Sequence, residues 1–147
     1  MTTIRAAKLA DAAAIAELAR ELGHPATDTA EVAANLAEVT DDATELTLVA
    51  LDDQGVICGF ARAVVEQFVV DAPFAELAAL VVAADARGRG IGRALLRAVE
   101  AWARESGFST LVIRSNVVRT RAHRFYLREG CVEQKRQVVF VKSLPQA

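Results

Sequence analysis

The sequence predicts one mixed α/β domain spanning residues 1–147, and three observations support this fold class. The length suits a single ordinary domain. Hydrophobic residues make up 53% and charged residues 24%, which is enough apolar material for a core and argues against a disordered chain. Segments with strand and helix periodicity also alternate along the chain, as is typical of mixed α/β folds.

The first half of the chain predicts a strand, two helices and a β-hairpin. Apolar residues recur at helical spacing at Ile15, Leu18 and Leu22, and Asp11 lies early in this segment, where the helix dipole favours a negative charge. The hairpin is predicted from two β-prone runs on either side of Asp52-Asp53-Gln54-Gly55. The predicted elements are a strand at 3–6, helices at 8–22 and 29–39, and strands at 46–51 and 56–65.

The second half predicts strands that alternate with helices. The run at 76–82 is apolar on both faces and is therefore expected near the centre of the sheet. Ile91, Leu95 and Val99 mark one face of a helix that ends before Gly107. After a loop at 68–74, the predicted elements are a strand at 76–82, a helix at 91–105, a strand at 111–113, a helix at 119–128 and a strand at 138–141.

Charge and cysteine content weigh against several function classes. The formal net charge is -2, whereas nucleic-acid binders usually carry a basic excess, so no nucleic-acid partner is predicted. Cys58 and Cys131 stand far apart without a CxxC pattern, which predicts neither a disulfide framework nor a metal site. No signal peptide and no run of about 18 apolar residues is visible, so the protein is expected in the cytoplasm without a membrane partner.

A glycine-rich loop carries the strongest chemical signal. The predicted strand at 76–82 is followed by Arg87-Gly88-Arg89-Gly90-Ile91-Gly92 and then directly by a helix. The first amides of a helix lack intrahelical acceptors and, with the positive end of the dipole, favour an anion. Glycines let a phosphate approach the backbone, and Arg87, Arg89 and Arg93 add positive charge. The loop therefore predicts a diphosphate-binding site.

Two common nucleotide motifs do not fit this loop. In a GxGxxG fingerprint that starts at Gly88, the third glycine would fall at position 93, which is Arg93. The next predicted strand is followed by Arg114 rather than by the acidic residue that binds a ribose. The P-loop pattern GxxxxGK[ST] is absent.

Two motifs together resemble the GNAT superfamily of N-acyltransferases. Leu80-Val81-Val82 followed by Arg87-Gly88-x-Gly90-Ile91-Gly92 is similar to its coenzyme A-binding motif, R/Q-x-x-G-x-G/A after a strand. Downstream, Arg119-x-x-Ala122-His123-x-Phe125-Tyr126-x-x-x-Gly130 is similar to a second segment of many members. Ala84 stands where many members have proline, and Cys131 stands where an aromatic residue is usual. Neither departure affects a position implied in cofactor binding.

The resemblance implies a GNAT-type acyl-CoA N-acyltransferase fold, with a mixed, mostly antiparallel central sheet flanked by helices. It implies acetyl-CoA as co-substrate and no metal. The pantetheine arm is expected between splayed strands at 76–82 and 111–113, paired with strand backbone in the manner of an added strand. The residues implied in cofactor binding are Leu80, Val81, Val82, Arg87, Gly88, Arg89, Gly90, Ile91, Gly92, Arg93, Asn116, Arg119 and Ala122.

The resemblance also points to catalytic groups. Tyr126 is the expected general acid, since a phenol of pKa about 10 can protonate a thiolate whose parent thiol has a pKa of about 8.5. Glu76 is the expected general base, with Glu66 as the alternative. His123 is expected to be structural, and His24 is expected in a loop near the acceptor site.

The function predicted from the resemblance is acetyl transfer to a primary amine of a small molecule, by direct attack in a ternary complex. A peptide or protein N-acetyltransferase and a non-catalytic acyl-CoA-binding module remain alternatives. The acidic stretch at 31–45 would suit a cationic amine if it faces the site. A homodimer is compatible with the resemblance.

Overall fold

The computed structural model describes residues 2–23 and 27–146. These residues form two compact units, one that ends at Arg114 and one that begins at Ser115. Each unit is described by itself, and a single domain stays a prediction. None of the helices in the described ranges has the length and apolar character needed to cross a membrane.

The first unit is built on a five-stranded sheet with the strands in chain order. The strands are β1 (Thr3–Ala6), β2 (Glu45–Leu51), β3 (Ile57–Glu66), β4 (Phe74–Val82) and β5 (Leu111–Ile113). The first three pairings are antiparallel, and β4 pairs with β5 in parallel. This confirms the predicted mixed, mostly antiparallel sheet flanked by helices.

Three helices flank this sheet, and a fourth lies in the second unit. They are α1 (Ala12–Glu21), α2 (Thr29–Val39), α3 (Ile91–Glu105) and α4 (Thr120–Arg128). The predicted bounds of α2 and α3 are confirmed, whereas α1 begins later than predicted because a 3-10 turn at Leu9–Asp11 precedes it. Strand β4 begins at Phe74, two residues earlier than predicted, directly after Pro73.

The sheet buries both of its faces. On one face, Ile15 of α1 and Leu36 of α2 form a buried cluster with Val49, Phe60 and Val81 of the sheet. On the other face, α3 packs its buried apolar stripe against β3 and β4. The strands at the centre are therefore apolar on both sides, as the sequence predicts.

The second unit contains α4 and a long segment without regular secondary structure. The strand predicted at 138–141 is wrong, since residues 131–146 form no helix or strand. Val139 and Phe140 are 86% and 88% exposed. Their β-branched and aromatic side chains favour a strand locally, but a strand also needs a backbone partner, and none of the described strands pairs with this segment.

Candidate active site

The glycine-rich loop presents open backbone at the start of α3. Gly88 and Gly90 have φ angles of 81° and 80°, a left-handed conformation that side chains disfavour. A Cβ built on either glycine has no neighbour within 4 Å, so the space above the loop is open. Gly90 caps α3, and its carbonyl accepts from Ala94 N at 3.0 Å. The amides of Ile91 and Gly92 come before Ala94 N, the first intrahelical donor, so they have no intrahelical acceptor and can bind an anion.

The apolar side of α3 fixes the position of this loop. Ile91 and Leu95 are buried against the sheet, directly over Gly59 of β3. A Cβ at Gly59 would lie 2.9 Å from the Val81 carbonyl oxygen and 3.2 Å from Leu95 Cδ1. Gly59 thus allows close packing of the sheet and the helix. Gly59 was not among the residues predicted from the sequence, although a glycine within an apolar strand is a known sign of close approach.

Arginines surround the loop with positive charge. Arg87, Arg89 and Arg93 are all exposed at the surface around Gly88 and Gly90. The backbone conformation, the helix dipole and these guanidiniums all favour a polyanion at this place. The geometry supports the predicted diphosphate chemistry of the loop.

Strands β4 and β5 pair over only three residues. Their register runs from Ala75 opposite Leu111 to Leu77 opposite Ile113, where β5 ends. Strand β4 continues to Val82, toward the glycine-rich loop. Within the described ranges, no strand pairs with this edge of β4 beyond Leu77. The sheet therefore forks, and the fork opens toward α3.

The hydrogen-bond alternation shows which backbone groups face the fork. Ala83 N donates to Cys58 O at 2.8 Å, so this position lies in a hydrogen-bonded pair with β3. Pairs alternate along an antiparallel ladder, which places Val81 in the next hydrogen-bonded pair. The N–H and C=O groups of Leu80 and Val82 consequently point away from β3, into the open edge.

A β-bulge interrupts β4 inside the fork. Arg62 is opposite Ala79, whereas Ala63 is opposite Leu77, so Ala78 is the extra residue. A bulge bends a strand, increases its twist and redirects its backbone groups. This bulge depends on the register between β4 and β3, which the sequence of β4 alone does not reveal.

The predicted base, Glu76, lies beside the bulge. Its side chain is 13% exposed and forms an ion pair with Arg114, the residue that follows β5. The guanidinium carbon of Arg114 lies 5.7 Å from the ring centroid of Phe74. The alternative base, Glu66, is half-buried at the end of β3, opposite Phe74. The first unit thus gathers both predicted carboxylates near the narrow end of the fork.

Tyr126, the predicted acid, lies on α4 in the second unit. Burial raises the pKa of its phenol above the ordinary value, the charge of Arg119 lowers this pKa, and Cys131 raises it. The Tyr126 ring contacts the edge of Phe125 with 5.3 Å between centroids. A phenol with a raised pKa keeps its proton at neutral pH, as a general acid must.

The loop before α4 is held by Asn116. Its side-chain oxygen accepts from Val118 N at 3.1 Å, and its carbonyl oxygen accepts from Arg119 N at 3.0 Å. The same carbonyl lies 2.9 Å from His123 Nε2, which must carry the hydrogen because a carbonyl only accepts. This contact supports the structural interpretation of His123. Arg119, Ala122 and Asn116 thus lie together with Tyr126 in this unit.

Three further predictions from the sequence concern metal ligands, His24 and Cys58. The described ranges contain no group of three or more His, Cys, Asp or Glu residues that could hold a metal. His24 lies outside the described residues. Cys58 is buried and its thiol donates to Ala50 O at 3.5 Å; burial is the main cause that raises its pKa.

Comparison with known proteins identifies the family. The Acetyltransferase (GNAT) family profile matches residues 12–130. An aminoglycoside N(6')-acetyltransferase type 1 of Stenotrophomonas maltophilia is 35% identical over 142 residues, covering 94% of this chain and 91% of that protein.

Solved structures show the same fold. An aminoglycoside 6'-N-acetyltransferase from Acinetobacter baumannii, AAC(6')-Ih, superposes with a TM-score of 0.84 at 21% identity and covers 99% of this chain and 100% of that chain. AAC(6')-Iy, solved in complex with CoA, gives a TM-score of 0.85 at 22% identity over 97% of this chain and 95% of that chain. The chain therefore belongs to the GNAT family and is an acetyl-CoA-dependent N-acetyltransferase.

Proposed function

We propose that this protein transfers the acetyl group of acetyl-CoA to a primary amine of a small molecule, by direct attack in a ternary complex. The observation that carries the proposal is the open edge of β4, which runs from the glycine-rich loop to the carboxylate of Glu76. One end of this edge suits a diphosphate, and the other end suits an amine that must lose a proton.

The backbone geometry supports a specific pose for the cofactor. The pyrophosphate sits on the amides that start α3, with Arg87, Arg89 and Arg93 nearby. The pantetheine arm runs along β4 and pairs with the outward groups of Leu80 and Val82, in the manner of an added strand. Asn116, Arg119 and Ala122 of the second unit are proposed as further cofactor contacts on the basis of the family motif.

Side chains and backbone groups of this chain can carry out each proton transfer of the proposed reaction. A primary amine with a pKa near 10.4 is mostly protonated at neutral pH, so it first gives a proton to Glu76, directly or through water. The free amine attacks the thioester carbonyl carbon, and a backbone N–H of β4 stabilises the oxyanion, a contact whose loss typically costs about 100- to 1,000-fold in rate. The C–S bond then breaks, and the thiolate takes a proton from Tyr126. The acylated nitrogen gives its second proton to the Tyr126 phenolate, directly or through water, which leaves the neutral amide, and Glu76 releases the first proton to solvent.

The acceptor class is proposed from the relatives and from the charges near the fork. The Stenotrophomonas maltophilia relative acts on aminoglycosides, and it is similar over nearly the whole chain. Glu66 and Glu76 lie at the narrow end of the fork, where Arg114 compensates the charge of Glu76 and the Glu66 carboxylate adds negative charge that attracts an ammonium group. Aminoglycosides with a free 6'-amine are therefore the first acceptors to test, followed by simpler polyamines.

The test is a thiol-release assay with acetyl-CoA and a panel of amines. Release above background with an aminoglycoside or another small amine, and acetylation of that amine by mass spectrometry, supports the proposal. Release only with peptides replaces the small molecule by a protein acceptor. Tight acetyl-CoA binding by calorimetry without release for any acceptor would instead identify a binding module and contradict the proposal.

A further inference from the structure

An ion pair at the fork bears on the acceptor side of the reaction. The guanidinium of Arg114 binds the carboxylate of Glu76, which lies on the neighbouring strand. The Glu76 side chain is 13% exposed, whereas the Arg114 side chain is 56% exposed. The carboxylate is therefore largely withdrawn from water, and its counter-charge comes from a residue that remains partly in solvent.

The sheet register explains how Arg114 reaches Glu76. Glu76 is paired with Val112 of β5, and side chains two residues apart on a strand share a face. Arg114 comes two residues after Val112, and Phe74 comes two residues before Glu76. Both side chains therefore lie on the same face of the sheet as Glu76. The Arg114 guanidinium carbon lies 5.7 Å from the Phe74 ring centroid, a cation–π contact. The Phe74 ring stacks on Phe68 with 5.1 Å between centroids.

The other charged residues on the face of β3 to β5 that carries Glu76 either bind other partners or lie away from Glu76. On β3, Arg62 donates to both carboxylate oxygens of Glu45, at 3.0 and 2.8 Å. Glu66 of β3 lies opposite Phe74 rather than opposite Glu76. Helix α1 contributes apolar residues to the cluster with Val81, and α3 packs on the opposite face of the sheet. Among the described charges of the β3–β5 face, Arg114 is the cation bound to Glu76.

We infer that Arg114 is a positioning residue that holds the Glu76 carboxylate ionised and fixed at the place where the acceptor amine loses its proton. A carboxylate withdrawn from water needs a counter-charge, and without one it takes up a proton or turns toward solvent. In either state it accepts no proton from the amine. Phe74 and Phe68 hold the guanidinium in this position. The inference rests on the proposed function, in which Glu76 is the base.

A double-mutant cycle tests whether Arg114 acts through Glu76. Arg114→Gln is expected to lower kcat for the amine by about tenfold or more, with little change in acetyl-CoA affinity. Added to Glu76→Gln, it should cause no further loss, because residues that act as one unit are not additive. Arg114→Lys should recover part of the rate, since it keeps the charge but lacks the planar guanidinium.

A matched control separates this role from the general loss of an arginine ion pair. Arg97 of α3 binds Glu100 at 2.7 Å, and its side chain is 47% exposed, close to the value for Arg114. Arg97→Gln should leave kcat unchanged. The inference would be overturned if Arg114→Gln lowered kcat by the same factor in the wild type and in Glu76→Gln. It would also be overturned if Arg114→Gln alone kept the wild-type kcat.

A second readout does not depend on turnover. The carboxyl carbon of Glu76, observed by carbon-13 NMR, reports the ionisation of this group directly. Its titration midpoint should move to higher pH by about one unit or more in Arg114→Gln and stay near the wild-type value in Arg114→Lys. An unchanged midpoint in Arg114→Gln would reject the inference even if the enzyme is active. Absence of turnover with every amine would reject the proposed function, while this titration still decides the role of Arg114.

Discussion

Asp11 and Arg5 form a doubly hydrogen-bonded ion pair that ties the end of β1 to the start of α1. Arg5 Nη1 donates to Asp11 Oδ2 at 2.7 Å, and Arg5 Nη2 donates to Oδ1 at 3.0 Å. The backbone N–H of Lys8 also donates to Oδ2 at 2.7 Å. The hydrogen bond from Arg5 is the main cause that holds the pKa of the buried Asp11 below its usual value, while burial opposes it.

This pair predicts a pH-dependent contribution to stability. Because the folded-state pKa of Asp11 is lowered, its contribution is fully present above the unfolded value of about 3.9 and is lost as the pH falls through the folded value. Asp11→Asn should therefore reduce the free energy of unfolding at pH 7 by about 1–3 kcal/mol, and the difference should shrink in acid. Urea unfolding at several pH values measures it.

Asp41 offers the control for this experiment. It is exposed in the turn after α2, so Asp41→Asn should leave the free energy of unfolding at pH 7 nearly unchanged. Equal stability of Asp11→Asn and the wild type at pH 7 would contradict the importance of the Arg5 pair.

Elements fixed by local signals were predictable from the sequence. Helix α2 begins after Asp28, whose side chain accepts from Ala30 N at 2.8 Å, and both this cap and the apolar spacing can be read from the sequence. Helix α3 likewise follows from its apolar stripe and the glycines that flank it. These features involve residues a few positions apart.

Features that depend on strand register were not predictable in the same way. The bulge at Ala78 exists only because β3 and β4 shift against each other. The pair between Glu76 and Arg114 joins residues 38 positions apart, through the parallel register of β4 and β5. The strand predicted at Val138 to Val141 is an error of the opposite kind, a feature that was predicted but is absent. Local β propensity predicted this strand, but the segment has no strand partner among the described strands.

Gly59→Ala should destabilise the first unit. The added methyl carbon would lie 2.9 Å from a backbone oxygen of Val81, which cannot move as freely as a side chain. Overpacking of this kind costs about 1–3 kcal/mol, and chemical denaturation should show the loss. The side-chain contact with Leu95, at 3.2 Å, adds to it. A variant as stable as the wild type would show that β3, β4 and α3 can separate at little cost.

Gly90→Ala should weaken acetyl-CoA binding. The left-handed conformation at φ 80° costs an alanine about 1–2 kcal/mol, and the methyl group enters the space proposed for the pyrophosphate. Gly55 in the β2–β3 turn is a matched control, since its φ is 77° and it also has open space around its Cβ position. Both variants should lose similar stability. Calorimetry should show weaker binding for Gly90→Ala alone, and equal affinities would argue against this loop as the phosphate site.

Tyr126→Phe should lower kcat while acetyl-CoA affinity stays nearly constant. The change removes only the hydroxyl that donates the proton, and loss of a general acid typically costs about 100- to 10,000-fold in rate. Because burial raises the pKa of this phenol, its loss of activity by deprotonation should begin at a higher pH than for an ordinary tyrosine. Steady-state kinetics across pH, with thermal unfolding to verify the fold, measures both effects. If the phenylalanine variant turns over at the wild-type rate, the thiolate must obtain its proton from another donor, such as water.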